Sequence, residues 1–245
     1  DNSKGEFVHE PNPLEAENLK QVQEAVREGG CDLGICFDGD ADRCMVVDEN
    51  GESIGCDLLT AVLAQRFLKH DPGSAIVYDL RSSHSVPEMI KKAGGKPVRS
   101  KVGHVHMKSV LADRNAVFGG ELSGHFYFRE NFYADSGAIA FASVVSMLAT
   151  DDRKLGEIVA PTRKDAQSGE LNYQVEDKDE ALEYLRETYP KAKSDTLDGL
   201  TLEFKDWWVN IRPSNTEPLL RLNLEAKNEE TVKERVEEIS ERLRE

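Results

Sequence analysis

The sequence predicts an α/β layer protein that runs on into a smaller α+β domain. Up to Ala149, short apolar strand-like runs alternate with helix-periodic stretches, the pattern of a layered sheet with parallel strands. A polar stretch with Pro and Gly, Pro161 to Gly169, then reads as a hinge. Beyond it the order becomes strand, helix, three strands in succession and a closing amphipathic helix, which suits a small α+β domain.

Leu14, Leu19, Val22, Ala25 and Val26 have helical spacing, and Gly29-Gly30 ends that helix. Cys31–Phe37 and Cys44–Val47 read as buried strands, with a turn at Glu49-Asn50-Gly51. A second unit starts near Asp57: helix 58–68, strand 75–80, helix 86–93, strand 98–101, helix 106–112, strand 116–118, strand 126–128 and a long apolar helix 136–149. Past the hinge follow strand 171–175, helix 179–189 stopped at Pro190, strands 200–204, 207–211 and 219–224, and helix 231–243.

Composition narrows the function. The 245 residues are 39% hydrophobic and 31% charged, an ordinary soluble balance. The longest apolar candidate, Ala138 to Ala149, is too short to span a membrane. Asp1-Asn2-Ser3-Lys4 has no apolar core, so it is no signal peptide, and it is no natural translation start; the chain is expected to begin inside a longer protein. Cys31, Cys36, Cys44 and Cys56 form no C-x-x-C pair and lack zinc-site spacing. Three of them lie in or beside strand-like runs and are expected to be buried thiols, consistent with a reducing cytoplasm. A net charge of −15 argues against nucleic acid or an anionic membrane as partner. The charge is uneven: Arg81 to Arg114 holds eight Lys/Arg against two Asp/Glu. That stretch is either an anion site or a solvated basic helix face.

Four segments carry chemistry. In Asp38-Gly39-Asp40-Ala41-Asp42-Arg43, three carboxylates alternate after a buried strand, with small spacers between them. Such crowded acids suit a hard cation, Mg²⁺ or Ca²⁺, and the adjoining Arg43 suits a phosphate that bridges both. An EF-hand is excluded, because Arg43 stands where Gly is required and the flanks read as strands; a solvated acidic turn is the bland alternative. Gly119-Gly120-Glu121-Leu122-Ser123-Gly124-His125 sets polar side chains among glycines at a strand end, where α/β sheets bind ligands and where Glu and Ser can meet vicinal sugar hydroxyls. A hairpin turn with satisfied polar groups would look similar. Arg212-Pro213-Ser214-Asn215-Thr216-Glu217-Pro218 joins two apolar strands and offers a guanidinium, hydroxyls, an amide and backbone N–H groups for phosphate oxygens, unless it is an ordinary turn. Arg221 on the following strand could support that loop or pair with an acid. Arg81, His104 and Lys108 follow strand ends and could face one phosphate or move a proton.

In this order, the four motifs resemble those of the α-D-phosphohexomutase family, and the match covers nearly the whole chain. The resemblance implies that Asp38, Asp40 and Asp42 bind Mg²⁺ and that Arg43 stabilises the transferring phosphoryl group. It implies that Glu121 and Ser123 read sugar hydroxyls with His125 on the same loop, and that Arg212, Ser214, Asn215 and Thr216 bind phosphate. V-G-H-x-x-x-K implicates His104 and Lys108. The family fold has four domains. Residues 1–55 would be the end of domain 2, 56–162 a complete α/β domain 3, and 163–245 the α+β domain 4. The implied activity interconverts hexose 6- and 1-phosphates through a hexose bisphosphate. The Glu-Leu-Ser and Ser-Asn-Thr forms favour mannose or glucose over glucosamine. The family's catalytic serine lies in a T-A-S-H-N-P-type loop, and its general acid/base lysine also belongs to domain 1; no T-A-S-H-N-P occurs in these residues. By themselves they are expected to hold metal weakly and to lack mutase activity, so binding without turnover is the rival reading.

Overall fold

The computed structural model describes residue 7 and residues 10–214 and 217–243. The chain divides into two compact units, Asp1–Arg163 and Lys164–Glu245.

The first unit opens with α1 (Ala16–Gly29), which buries Leu19 and Val26. It closes on Gly30 in the left-handed conformation, whose N–H bonds the Val26 carbonyl. β1 (Leu33–Phe37), β2 (Cys44–Asp48) and β3 (Ser53–Ile54) form an antiparallel sheet in the order β1-β2-β3. The pairing runs from Leu33↔Asp48 to Phe37↔Cys44, so residues 38–43 are the connection of a hairpin. This corrects the expectation of parallel strands throughout, since a connection this short can join only antiparallel neighbours. Cys44 and Cys56 are buried, but Cys31 is exposed, because it lies between the Gly30 cap and the start of β1.

α2 (Cys56–His70) is buried along most of its length. β4 (Ala75–Asp79), α3 (Ser85–Lys92), β5 (Lys96–Ser100), α4 (His104–Asp113), β6 (Phe118–Gly120) and β7 (Phe126–Phe128) complete a sheet ordered β5-β4-β6-β7. β4 is parallel to β5 and β6, whereas β7 turns back antiparallel on β6 through the short Glu121–His125 connection. Leu59, Leu63, Ile76, Ile90 and Phe118 fill one core; Val77, Met107, Leu111 and Tyr127 fill another. α5 (Gly137–Leu148) and α6 (Leu155–Val159) end the unit, α6 being a helix the sequence pattern did not signal. Because β4, β5 and β6 are parallel, the segments after them, carrying Arg81, His104 and Glu121, leave the sheet at one edge.

The second unit contains β8 (Ala166–Gln174), α7 (Lys178–Thr188), β9 (Lys193–Asp195), β10 (Leu200–Glu203), β11 (Trp207–Pro213), β12 (Leu219–Ala226) and α8 (Glu229–Arg242). Its sheet is antiparallel in the order β8-β12-β11-β10-β9. Asp177 and Asn228 cap the two helices by accepting from backbone N–H groups of their first turns. Leu185, Val232 and Ile239 from the helices pack with Leu200, Leu202, Val209, Ile211, Leu220 and Leu222. β8 begins at Ala166, so part of the supposed hinge is strand, with Gly169 inside it at φ +69°.

Candidate active site and phosphate loop

The acidic hairpin connection is curled by Ala41, a non-glycine residue at φ +60°. Arg43 crosses it: Nε donates to Asp38 Oδ2 at 2.6 Å, and its backbone N–H donates to Asp38 Oδ1 at 3.2 Å. Burial alone would raise the Asp38 pKa, but these bonds from Arg43 hold it below its usual value. Asp42 goes the other way, raised by burial and by the neighbouring Asp38 carboxylate. Its Oδ1 is buried and accepts no hydrogen bond among the described residues. Asp38, Asp40 and Asp42 each bring one oxygen within 4.8 Å of the others. Crowded hard donors, one of them orphaned, fit a small divalent cation such as Mg²⁺.

The glycine-rich loop lies against this connection. Arg43 and His125 form an isolated antiparallel bridge, and Cys44 N donates to Gly124 O at 3.0 Å. Gly124 makes the turn at φ +91°, with its N–H on Glu121 O. Gly137, at the start of α5, bonds Ala41 O at 3.1 Å; a Cβ there would stand 2.7 Å from that oxygen, so no side chain fits. His125 Nε2 is 3.5 Å from Asp42 Oδ2, and Nδ1 is 2.9 Å from Ser123 Oγ. Glu121 is buried, its Oε1 accepting from Tyr127 OH at 2.5 Å and its Oε2 from Gly103 N at 2.8 Å. Lys108 pairs with Asp135 at 2.8 Å and lies 5.9 Å from the centre of the Tyr127 ring. Asp135 in turn lies within 4.8 Å of Asp42 and His125.

Asp38, Asp40, Asp42, Arg43, Glu121, Ser123, His125 and Lys108 are therefore joined by contacts within the first unit. Arg81 is buried behind them: Asp79 accepts from its backbone and guanidinium and also from Leu122 N at 2.7 Å. Asp79 thus ties the Arg81 segment to the glycine-rich loop. His104 is exposed at the first residue of α4, beside Gly103, which bonds Glu121. A separate cavity of about 730 Å³, lined by Arg66, Phe67, His70, Phe128 and α5 residues, contains none of these side chains.

In the second unit, Arg212 and Ser214 are buried at the end of β11, and Ser214 N donates to Leu219 O at 2.8 Å. Arg221 faces Arg212 across the β11–β12 ladder. Asn215 and Thr216 lie outside the described residues.

Sequence reasoning missed Tyr127, Asp135, Asp79 and Glu170. Tyr127 and Asp79 read as strand residues, and no local pattern marks a buried acid as a brace. Asp79 did carry a faint signal, a charge at the end of the otherwise apolar run 75–78.

Family models place this geometry. Phosphoglucomutase/phosphomannomutase domain II matches residues 1–51, domain III residues 56–164, and the C-terminal domain residues 170–242. The chain belongs to the phosphoglucomutase/phosphomannomutase family. A Methanocaldococcus jannaschii phosphomannomutase is 44% identical over 232 residues, which cover 95% of this chain and 52% of that protein. Xanthomonas campestris phosphohexose mutases are 42% identical over 96% of this chain and 53% of theirs. A phosphoglucomutase/phosphomannomutase family protein of Burkholderia thailandensis superposes with a TM-score of 0.85 at 28% identity, over 96% of this chain and 51% of its own. The chain thus spans about half the length of these relatives. Within the family its α/β and α+β units are shared features, and no helix among the described residues is long and apolar enough to cross a membrane.

Proposed function

We propose that this chain supplies the metal, sugar and distal-phosphate loops of a cytoplasmic phosphohexomutase that interconverts hexose 6-phosphate and hexose 1-phosphate. In this reading residues 1–55 are the end of domain 2, 56–162 domain 3 and 163–245 domain 4. The supporting observation is the backbone bridge between Arg43 and His125. It sets a carboxylate cluster that fits Mg²⁺ against a loop rich in sugar-type hydrogen-bonding groups.

Asp38, Asp40 and Asp42 would hold Mg²⁺, which supplies charge neutralisation at a transferring phosphoryl group. Arg43, fixed by Asp38, adds a guanidinium at the same place. Glu121 and Ser123 take sugar hydroxyls; each Glu121 oxygen already accepts one bond and has a second lone pair to offer. Lys108 and His125, both engaged with carboxylates, are placed to hold or pass a proton at a sugar oxygen. Arg212, Ser214, Asn215, Thr216 and Arg221 bind the phosphate that is not reacting. The phosphoryl donor is the family's phosphoserine. It gives its phosphoryl group to the sugar, forming a hexose bisphosphate, and the other phosphate returns to the serine. Because the intermediate carries a phosphate at both ends, recognition must tolerate either orientation, which hydroxyl contacts near the middle of the sugar allow.

The test is a mutase assay of the intact parent protein with mannose, glucose and glucosamine phosphates. Turnover of mannose and glucose phosphates above glucosamine phosphate supports the reading, and preference for glucosamine phosphate shifts the substrate. The 245-residue chain alone is expected to be inactive. Conversion of mannose 6-phosphate to mannose 1-phosphate by it would overturn the assignment of the donor outside these residues.

A further inference from the structure

Asp42 presents its two oxygens to different neighbours. Oδ1, the buried oxygen without a hydrogen bond, stands 4.0 Å from Arg43 Nε. Oδ2 approaches His125 Nε2 at 3.5 Å. That spacing is longer than a good N–H···O bond, about 2.7–3.2 Å. It matches two donors of one tetrahedral ion: with each about 2.1 Å from the metal, they stand about 3.4 Å apart.

Asp135 completes the group. Asp42, His125 and Asp135 each bring one ligand atom within 4.8 Å of the others, and all three are half-buried. Lys108 bonds Oδ1 of Asp135 at 2.8 Å, so Oδ2 is the oxygen left to a further partner. Backbone pairing locks the three donors relative to one another. Arg43, next to Asp42, bridges His125, and Asp135 bridges Tyr127, two residues after His125. Asn131 Nδ2 also donates to Asp135 O at 3.4 Å. The imidazole is fixed from behind, Nδ1 meeting Ser123 Oγ at 2.9 Å, which leaves Nε2 toward Asp42. A hydrogen bond at the other ring nitrogen is the usual support of a metal-ligating histidine.

The donor set differs from that of the 38–42 connection. Three carboxylates suit Mg²⁺, whereas one imidazole and two carboxylates suit Zn²⁺ and leave a coordination position for water. We propose that Asp42, His125 and Asp135 form a second divalent-cation site, selective for Zn²⁺ over Mg²⁺, that shares Asp42 with the acidic triad. The site stands on its own geometry. Its consequence rests on the proposed function: Zn²⁺ here takes the imidazole nitrogen that handles a proton, so it is inhibitory.

The experiment titrates the 245-residue chain with Zn²⁺ in excess Mg²⁺, reading affinity by calorimetry and location by the His125 Nε2 resonance in nitrogen NMR. One equivalent is expected to bind and to shift that resonance. His125→Asn should weaken Zn²⁺ at least about 100-fold and Asp135→Asn at least about 10-fold, since loss of even an outer partner of a ligand costs about 10- to 100-fold. Asp40→Asn, which removes a carboxylate of the acidic triad alone, should leave Zn²⁺ binding close to wild type. Thermal melts without metal check folding, and Asp135→Asn decides the matter if His125→Asn does not fold. Zn²⁺ affinity that falls in Asp40→Asn but survives His125→Asn would put the ion on the acidic triad and overturn the proposal. So would a His125 resonance that does not move while Co²⁺ in place of Zn²⁺ gives a sulfur charge-transfer band, which places the ion on a thiol. In the intact parent saturated with Mg²⁺, added Zn²⁺ should abolish mutase turnover. Unchanged turnover with Zn²⁺ bound at His125 removes the inhibitory role and leaves the site, and a parent without mutase activity overturns the proposed function but not the site.

Discussion

The two loop systems of this chain are held by different mixtures of backbone hydrogen bonds and charge. In the first unit the loops around Arg43 and Glu121 are joined to their neighbours by backbone N–H donors, Cys44 N on Gly124 O, Gly137 N on Ala41 O, Gly103 N on Glu121 and Leu122 N on Asp79, beside ion pairs such as Arg43 with Asp38. In the second unit the turn is held by charges, with Glu170 between two arginines and Lys178 on two carbonyls. The difference matches what each is proposed to present. In the proposed reading, a carboxylate cluster that takes a cation keeps few cationic partners of its own, here Arg43 on Asp38. In the same reading, a turn that takes an anion can use charge as its own scaffold, provided one acid keeps the arginines from repelling each other. Backbone bonds ignore salt, whereas ion pairs as exposed as that of Arg221, 28%, with Glu170, 26%, are screened by it.

The largest test of this contrast is Asp40→Asn in the intact parent. Removing one ligand carboxylate is expected to lower mutase turnover by at least about 100-fold, the scale of losing one electrostatic contact in a transition state. Unchanged turnover with Mg²⁺ in excess would sink the metal assignment. Next is Gly137→Ala, which drives a methyl into Ala41 O and should cost about 1–3 kcal/mol in urea unfolding of the chain. Full stability would mean that the α5 start and the acidic connection are not held together. Tyr127→Phe should cost about 1–3 kcal/mol, since it strips a donor from the buried Glu121. That loss should persist at 0.5 M NaCl, whereas phosphate binding at the Arg212 turn should weaken there. Equal salt sensitivity of the two would erase the distinction. The smallest effect is read by thiol labelling. Burial, with Cys36 beside it, pushes the Cys44 thiol up to about 12, which leaves roughly one thiolate in 10⁴ at pH 8. Cys31 should therefore label first, and Cys44 should stay unmodified until the chain unfolds; early labelling of Cys44 would show that β2 opens.

Much of this site was legible because its loops are local in sequence. Alternating acids with small spacers, glycines around Glu121 and Ser123, and the R-P-S-N-T run each lie within seven residues. Element types were legible from periodicity, except where an element is very short, as with β3 and β9, or follows a polar run, as with α6. Strand direction was not legible from alternation alone. It is decided by connection length, and the short links at 38–43 and 121–125 force antiparallel pairing. The braces were hidden for a different reason. Glu170 lies 42 residues from Arg212 and 51 from Arg221, and Lys178 lies 36 from Ser214. Only the sheet order β8-β12-β11 brings the first three together.

The bonding of Glu121 carries a lesson for redesign. One of its oxygens belongs to the segment before α4 and the other to a tyrosine on β7. Exchanging the Glu121–His125 loop for that of a relative with another sugar preference would leave Gly103 N and Tyr127 OH facing an unfamiliar side chain. A loop transplant should therefore carry the residues at 121 and 127 together, since the Gly103 contact is a backbone N–H that other residues also supply.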